Sequence, residues 1–247
     1  MSMDTKVLLI SGGCSGIGWA TAKRFAEEGA SLIIGDIDTA SFSKLSGILD
    51  SLSTKYIFVE LDVTKEESWE KAFEISLTHF PKIDCVVNNA GIAIPGSIED
   101  ASLEDWNREL SVNLTGPFLG TKHAIKALKR TGGTIVNVSS IEGIVGHPDY
   151  ASYCAAKAGV RNLTKSSALY VAKRGYDIRI NSVHPGYITT PMVGDDPTEL
   201  EHLRQLHPIG RLGKPRDVAN MILFLSSDQS EFTTGAEFVV DGGFLAQ

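Results

Sequence analysis

Hydrophobic residues along this chain alternate between two periods. Seven short runs are almost continuously apolar and bounded by turn residues: VLLIS at 7–11, SLIIGD at 31–36, YIFVE at 56–60, CVVNN at 85–89, TIVNVSS at 134–140, IRINSVHP at 178–185 and AEFVVDG at 236–242. Between them, stretches near 16–28, 41–52, 65–79, 103–129, 151–173 and 214–226 carry apolar residues at helical spacing. Strands buried on both faces read as unbroken apolar runs, and parallel strands need helical crossovers. The pattern therefore predicts an α/β fold, a mostly parallel seven-stranded sheet doubly wound with helices on both faces. With no repeat or linker in the way, residues 1–247 read as a single domain.

The alternation breaks once. Residues 187–213, YITTPMVGDDPTELEHLRQLHPIGRLG, separate a strand from the next helix by a long Gly- and Pro-containing segment. Asp196-Pro197 is a good helix opening within it. So long a connection in a compact domain predicts a lid over a binding site.

Composition removes several classes of function. A net charge of −7 speaks against binding nucleic acid, which needs a basic surface. No apolar run reaches the length of a membrane span, and the start, MSMDTKVLLIS, lacks a signal-peptide core. The expectation is a soluble, cytoplasmic protein with neither nucleic-acid nor membrane partners. Cys14, Cys85 and Cys154 have no CxxC or zinc spacing, and the six histidines form no HxH or HExxH pair, so no metal site is expected.

The first strand runs into Ser11-Gly12-Gly13-Cys14-Ser15-Gly16-Ile17-Gly18 and then a helix. Glycines there let the backbone turn tightly against a pyrophosphate, and the helix start offers free N–H groups and partial positive charge. The spacing, Gly-x3-Gly-x-Gly, differs from G-x-G-x-x-G, and a tight turn alone would also explain it. Asp36 tips the balance. It closes the second strand, where a Rossmann-type dinucleotide fold places an acid on the adenosine ribose. A carboxylate there accepts hydrogen bonds from both ribose hydroxyls and repels a 2′-phosphate. Neither GDIDTASFSK nor position 14 places a cation beside Asp36, so the expected cofactor is NAD rather than NADP.

Tyr153 and Lys157, in YCAAK, stand one helical turn apart and share a helix face. At a cleft such a pair is an acid/base; on an exposed face it would be decoration. The surrounding motifs resemble the short-chain dehydrogenase/reductase family over the whole chain: SGGCSGIG at 11–18, Asp36, Asp62-Val63, NNAG at 88–91, Asn113, VNVSS at 136–140, Tyr153-x3-Lys157, and Pro185-Gly186 with Thr190. SSIEGIVGHP, YDIRINSVHPGYITTPMV and TGAEFVVDGGFLAQ look most like bacterial short-chain secondary-alcohol dehydrogenases. Ser11 stands where the family commonly has threonine; the hydroxyl, and so its hydrogen bond in the turn, is retained.

The resemblance implies a catalytic set of Asn113, Ser140, Tyr153 and Lys157. Tyr153 would exchange the alcohol proton, Ser140 would stabilise the substrate oxygen, Lys157 would hold the nicotinamide ribose, and Asn113 would bind a relay water through its backbone. It implies cofactor contacts from Gly12, Ser15, Gly16, Ile17, Gly18, Asp36, Asp62, Val63, Asn89, Ala90, Gly91, Tyr153, Lys157, Pro185, Gly186, Ile188 and Thr190. For Asp62 and Asn88, turn bonding after a strand is an equal alternative, and for Asn113, satisfaction of backbone groups. A phenol titrates near 10, and a cation about 4 Å away is worth roughly 4 kcal/mol at an effective dielectric of 20, about three pKa units before desolvation subtracts, so Lys157 and the positively charged oxidised nicotinamide are together expected to lower Tyr153.

Ser140, Glu142, Tyr153, Tyr187 and Met192 are the expected substrate contacts, within a wall drawing also on Ile141, Val145, His147, Tyr150 and Leu206. Mostly apolar and amphipathic, with acids at Asp195, Asp196, Glu199 and Glu201 in the lid, the wall suits a neutral secondary alcohol or ketone. Two alternatives stay open. A 3-oxoacyl carrier-protein reductase would use Arg204, Arg211, Lys214 and Arg216 for docking, and a non-catalytic dinucleotide-binding regulator would keep the fold without the chemistry. The family also implies a homotetramer built on the long helices at 103–129 and 151–173.

Overall fold

The computed structural model describes residues 3–247. Seven strands, β1 (Val7–Ser11), β2 (Ser31–Asp36), β3 (Tyr56–Glu60), β4 (Cys85–Asn88), β5 (Gly133–Val138), β6 (Ile178–Pro185) and β7 (Glu237–Val240), form one sheet in the order β3-β2-β1-β4-β5-β6-β7. All six pairings are parallel. Eight helices surround it: α1 (Gly16–Glu27), α2 (Thr39–Ser51), α3 (Glu66–His79), α4 (Leu103–Leu110), α5 (Gly116–Leu128), α6 (Ala151–Lys173), α7 (Pro197–Gln205) and α8 (Pro215–Ser226).

Strand side chains alternate between two cores, as period-2 geometry requires. Leu8, Ile10, Leu32, Ile34, Val87 and Val136 pack on one face with Phe25, Ile222 and Leu223 from α1 and α8. Val7, Leu9, Ile33, Val86, Ile135 and Ile180 pack on the other with Trp69, Leu119 and Val171 from α3, α5 and α6.

The strand ends carry a polar row in register: Ser11 opposite Asn88, Asn88 opposite Asn137, and Asn137 opposite Ser182. Asn88 Nδ2 donates to Asn137 Oδ1 at 2.7 Å and to Thr121 Oγ1 at 3.2 Å, and Asn137 Nδ2 donates to Thr164 Oγ1 at 2.9 Å. This buried network fixes β4 and β5 against α5 and α6 just below the cleft described next. Asn88 thereby bonds across to α5 and β5, not to the turn after its strand.

One expected helix is interrupted. The stretch 103–129 divides into α4 and α5 around a π-turn, Ser111–Thr115. Pro117 has no N–H for the carbonyl of Asn113 four residues earlier, so the α-helical ladder cannot continue and the backbone widens there. Within 187–213, α7 starts as its sequence predicts: Pro197 occupies the first turn, and Asp196 Oδ1 accepts from the N–H groups of Thr198 and Glu199, both at 2.9 Å.

Candidate active site

Strand order reverses between β1 and β4, and the carboxyl ends of the strands open there into a cleft of about 1110 Å³. In open parallel sheets this is where ligands bind.

One end is built from backbone. Gly12 turns with φ +66, and a side chain on Gly18 would run into the Gly12 carbonyl, so both positions require glycine. Ser15 caps α1 without a side-chain bond, and no acid occupies the first turn, leaving the helix N–H groups free for an anion. Ser11 Oγ accepts from the N–H groups of Asn89 (3.1 Å) and Ala90 (3.2 Å), the hydroxyl bond the sequence retains. Asn89 Nδ2 answers by donating to the carbonyls of Ser11 and Gly12. Asp36 is held at both oxygens, Oδ2 accepting from Cys14 N at 2.9 Å and Oδ1 from Asp38 N at 3.0 Å. Burial, with the Asp36 charge behind it, pushes the Cys14 thiol up to about 12, so it stays neutral. Asp62 does two things at once: it lines the cleft, and its Oδ1 accepts from Thr64 N and Oγ1, which hold its carboxyl below the usual range.

These features fit a dinucleotide: a glycine turn with free helix N–H groups for a pyrophosphate, then a fixed carboxylate for a ribose. Gly12, Ser15, Gly16, Ile17, Asp36, Asp62, Val63, Asn89, Ala90, Gly91, Pro185, Gly186, Ile188 and Thr190 all line the cleft. Gly18 does not; it lies beneath the turn, where it lets α1 approach Gly12.

The other end is built from side chains. Ser140, Tyr153, Lys157 and Met192 line the same cleft. Lys157 is buried, its Nζ donating to the Val138 carbonyl at 3.0 Å and standing 5.5 Å from the centre of the Tyr153 ring. Burial pushes Lys157 down to about 8. Lys157 by itself does not lower Tyr153: burial first, then the Glu142 charge, push the phenol above its ordinary value, and the Ser140 hydroxyl only partly opposes them. The ammonium lies over the ring face and is itself desolvated, so alone it does not outweigh the removal of the phenol from water.

Ser140 sits at the start of a 3₁₀ turn, Ile141–Gly143, its Oγ accepting from Glu142 N at 3.1 Å. Its carbonyl lies 3.0 Å from His184 Nδ1, while His184 Nε2 lies 2.8 Å from Ser182 Oγ. Burial lowers the His184 pKa, keeping the ring neutral: Nδ1–H donates to Ser140 and Nε2 accepts from Ser182. Asn113 does not line the cleft. Its side chain brackets Ile92, accepting from Ile92 N at 3.0 Å and donating to Ile92 O at 2.8 Å, while its backbone lies in the π-turn. A side chain at Gly91 would fall 3.0 Å from Asn113 Oδ1 and 3.5 Å from Lys157 Nζ, which places all three together.

Glu142 and Tyr187 depart from expectation. Neither lines the main cleft; Tyr187 Oη donates to Glu142 Oε1 at 3.3 Å, and the Tyr187 ring packs edge-on against His207 and Phe244 beside a smaller cavity of about 340 Å³. Burial raises the Glu142 carboxyl. Of the wider expected wall only Met192 faces the cleft, and Ile141 turns into the protein.

Three contributors escaped the sequence reading. Arg108 lines the cleft, His184 anchors Ser140, and Glu109 is fully buried beside Tyr153. A signal existed for Glu109: it precedes Asn113 by four positions, so a helical reading puts it on the face that carries a site residue. Glu66, Glu70 and His123 bring ligand atoms within 4.8 Å of one another, a trio that sequence spacing hid. Lys122 pairs with Glu66 there at 2.6 Å, so the cluster already contains its cation. Among the described residues no helix is long and apolar enough to cross a membrane.

Comparison with known proteins agrees with this geometry. A family described as enoyl-(acyl carrier protein) reductase matches residues 12–245. The NADP-dependent (R)-specific alcohol dehydrogenase of Lentilactobacillus kefiri is 44% identical, with 98% of this chain and 97% of the relative covered. The trans-4-hydroxycyclohexanecarboxylate dehydrogenase of Sinomonas cyclohexanicum is 42% identical over 98% of this chain and 93% of its own. A crystal structure of a short-chain type dehydrogenase/reductase from Mycobacterium marinum superposes with a TM-score of 0.95 at 30% identity, covering 100% of this chain and 98% of that one.

Proposed function

The chain belongs to the short-chain dehydrogenase/reductase family and acts on CH–OH groups, and on that footing we propose that it is an NAD-dependent enzyme interconverting neutral secondary alcohols and ketones, with Tyr153 as general acid/base. The observation that carries the reading is the convergence of Ser140, Tyr153 and Lys157 at the inner end of a cleft whose outer end fits a dinucleotide. The bound nicotinamide supplies or accepts the hydride.

The chain's own residues supply the rest. Ser140 Oγ accepts one bond from Glu142 N and its hydroxyl bonds to Tyr153, so a substrate oxygen entering between the two would take over the Ser140 proton. Tyr153 takes the alcohol proton in oxidation and returns it in reduction. With burial holding the phenol neutral, the resting enzyme is set as an acid, and positive charge arriving beside Lys157 is what makes the phenolate accessible. Lys157 contributes an ammonium, and the π-turn at Asn113 is the route by which it exchanges protons with solvent.

NAD over NADP rests on Asp36, fixed at both oxygens with a neutral thiol at position 14. The L. kefiri relative is named NADP-dependent, which makes cofactor choice the sharpest single test. A neutral substrate rests on the apolar cleft residues Ile92, Ala93, Pro191, Met192 and Val193. The carrier-protein alternative loses ground because three of its four docking cations are engaged: Arg204 with Glu201, Arg211 with Asp217 and Arg216 with Glu27. A regulator would have no use for a buried Tyr153–Lys157 pair. Exposed Leu103, Phe118, Leu169 and Tyr170 on α4, α5 and α6 support a tetramer, to be checked by light scattering.

The deciding experiment follows nicotinamide absorbance with NAD and NADP, each against a panel of neutral secondary alcohols and ketones. Turnover of neutral ketones with a higher kcat/KM for NADH supports the proposal. Equal use of the two cofactors, or an NADPH preference, overturns its cofactor half. Turnover of carrier-linked substrates alone overturns its substrate half.

A further inference from the structure

Glu109, at the end of α4, has no exposed surface. Its Oε1 accepts from Ile94 N at 2.9 Å, and its other oxygen accepts from the hydroxyl of Ser152, the residue before Tyr153. It therefore ties the cleft-lining segment after β4 to the first turn of α6. Asn113 holds the same segment two residues earlier, at Ile92. Glu109 and Asn113 thus form two clamps, either side of the start of the π-turn.

The charge on this clamp is the unusual part. A carboxylate withdrawn from water is stable only when opposite charge compensates it. Among the described residues neither Glu109 nor Lys157 has an ion-pair partner, yet both are buried. The titratable groups that interact with Lys157 are Glu109 from α4, Tyr153 on its own helix and His184 from β6, while Glu142, from the turn after β5, interacts with Tyr153. His184 is neutral, and Glu142, bonded to the Tyr187 hydroxyl, acts on the phenol and not on the ammonium. That leaves Glu109 as the anion available to balance the ammonium. Direct contact would occupy the Lys157 donors and cancel its field at Tyr153. Ser152 and Ile94 instead hold the carboxylate in place away from it.

We propose that Glu109 is a positioning residue of the active site, a buried counter-charge that keeps Lys157 protonated without touching it while clamping Ile94 to Ser152. The inference rests on the role given above to Lys157 and names a residue that role depends on. Its chemistry has a sign. The Glu109 charge favours the Lys157 ammonium and opposes the Tyr153 phenolate. Removing it lets Lys157 lose its proton at lower pH and lets Tyr153 ionise at lower pH, so both limbs of the pH–rate profile move the same way.

The test compares Glu109→Gln, which keeps an acceptor for Ile94 and a partner for Ser152, with Ser152→Ala, which removes half the clamp and leaves the charge. In the full-length protein labelled at lysine Cε, the Lys157 titration is read by NMR without substrate, and kcat against pH is read with it. For Glu109→Gln, a folded protein is expected, with Lys157 titrating about half a pH unit or more below wild type and the whole kcat profile displaced towards acid by a similar amount. For Ser152→Ala, a lower kcat with no displacement is expected. A Lys157 titration unchanged in Glu109→Gln overturns the proposal, as does an equal displacement in Ser152→Ala, which would make the effect one of packing. Loss of turnover in the wild-type protein would instead remove the catalytic reading beneath it, while the NMR titration would still decide the counter-charge.

Discussion

At the Gly12–Asp36 end of the cleft, backbone groups do the positioning, whereas at the Ser140–Lys157 end buried side chains do. The first end is local: a turn with a positive-φ glycine, an open helix start, and a carboxylate fixed by N–H groups of nearby loops. Its requirements are geometric, so it costs the fold little. The second end draws on α4, the π-turn, β5, β6 and α6, and it buries an ammonium and two carboxylates around a half-buried phenol. Its requirements are electrostatic, and each buried ionisable group is kept against the preference of water. Binding at one end can thus be secured by shape, while chemistry at the other needs charges held where they are uncomfortable.

The largest expected effect tests whether the second end is chemical at all. Tyr153→Phe should lower kcat by about 10²–10⁴-fold while the Kd for NAD changes little, because the cofactor end is built elsewhere. Retained turnover in pure protein would erase the distinction between the ends.

Next is the cost of the buried ammonium. Lys157 falls from an ordinary lysine value of 10.5 to about 8, so the unfolded chain binds more protons than the folded one between those limits. Stability should rise with pH through that window, and Lys157 should cost roughly 3 kcal/mol below it. Lys157→Met should therefore abolish activity yet raise the Tm at pH 7, with the gain vanishing near pH 10.5. A Tm gain independent of pH would assign the effect to packing.

The smallest effect belongs to the local end. Asp36→Asn removes the charge while keeping an acceptor for Cys14 N, and should shift the NADP-to-NAD ratio of kcat/KM by roughly 10–100-fold towards NADP, the worth of one or two charge-assisted hydrogen bonds. An unchanged ratio would mean that discrimination lies outside the strand-end acid.

The two ends also differ in how far they could be read in advance. Ser11, the glycine turn and Asp36 are contiguous or one strand apart, and their roles follow from backbone sterics, so motif spacing conveys them. Tyr153 and Lys157 are one turn apart and equally legible as a pair. What YCAAK did not show was the environment of that pair: the size of the desolvation, which outweighs Lys157 acting alone on Tyr153. Glu142 and Tyr187 were expected in the cleft, and packing of Phe244 against Tyr187 was not foreseeable from either position. The break at Ser111–Thr115 had a written cause in Pro117, though not a written consequence.

By itself the sequence determined the order of strands and helices, the phosphate turn, the strand-end acid and the identity of the proton-handling pair, because each depends on residues near one another in the chain. Only the tertiary structure decided that Glu109 meets Ser152, that His184 holds Ser140, and that Tyr153 stands above its ordinary pKa. Those outcomes depend on desolvation and on charges separated by many residues, and a charge acts on its neighbours in space, which the chain order does not disclose.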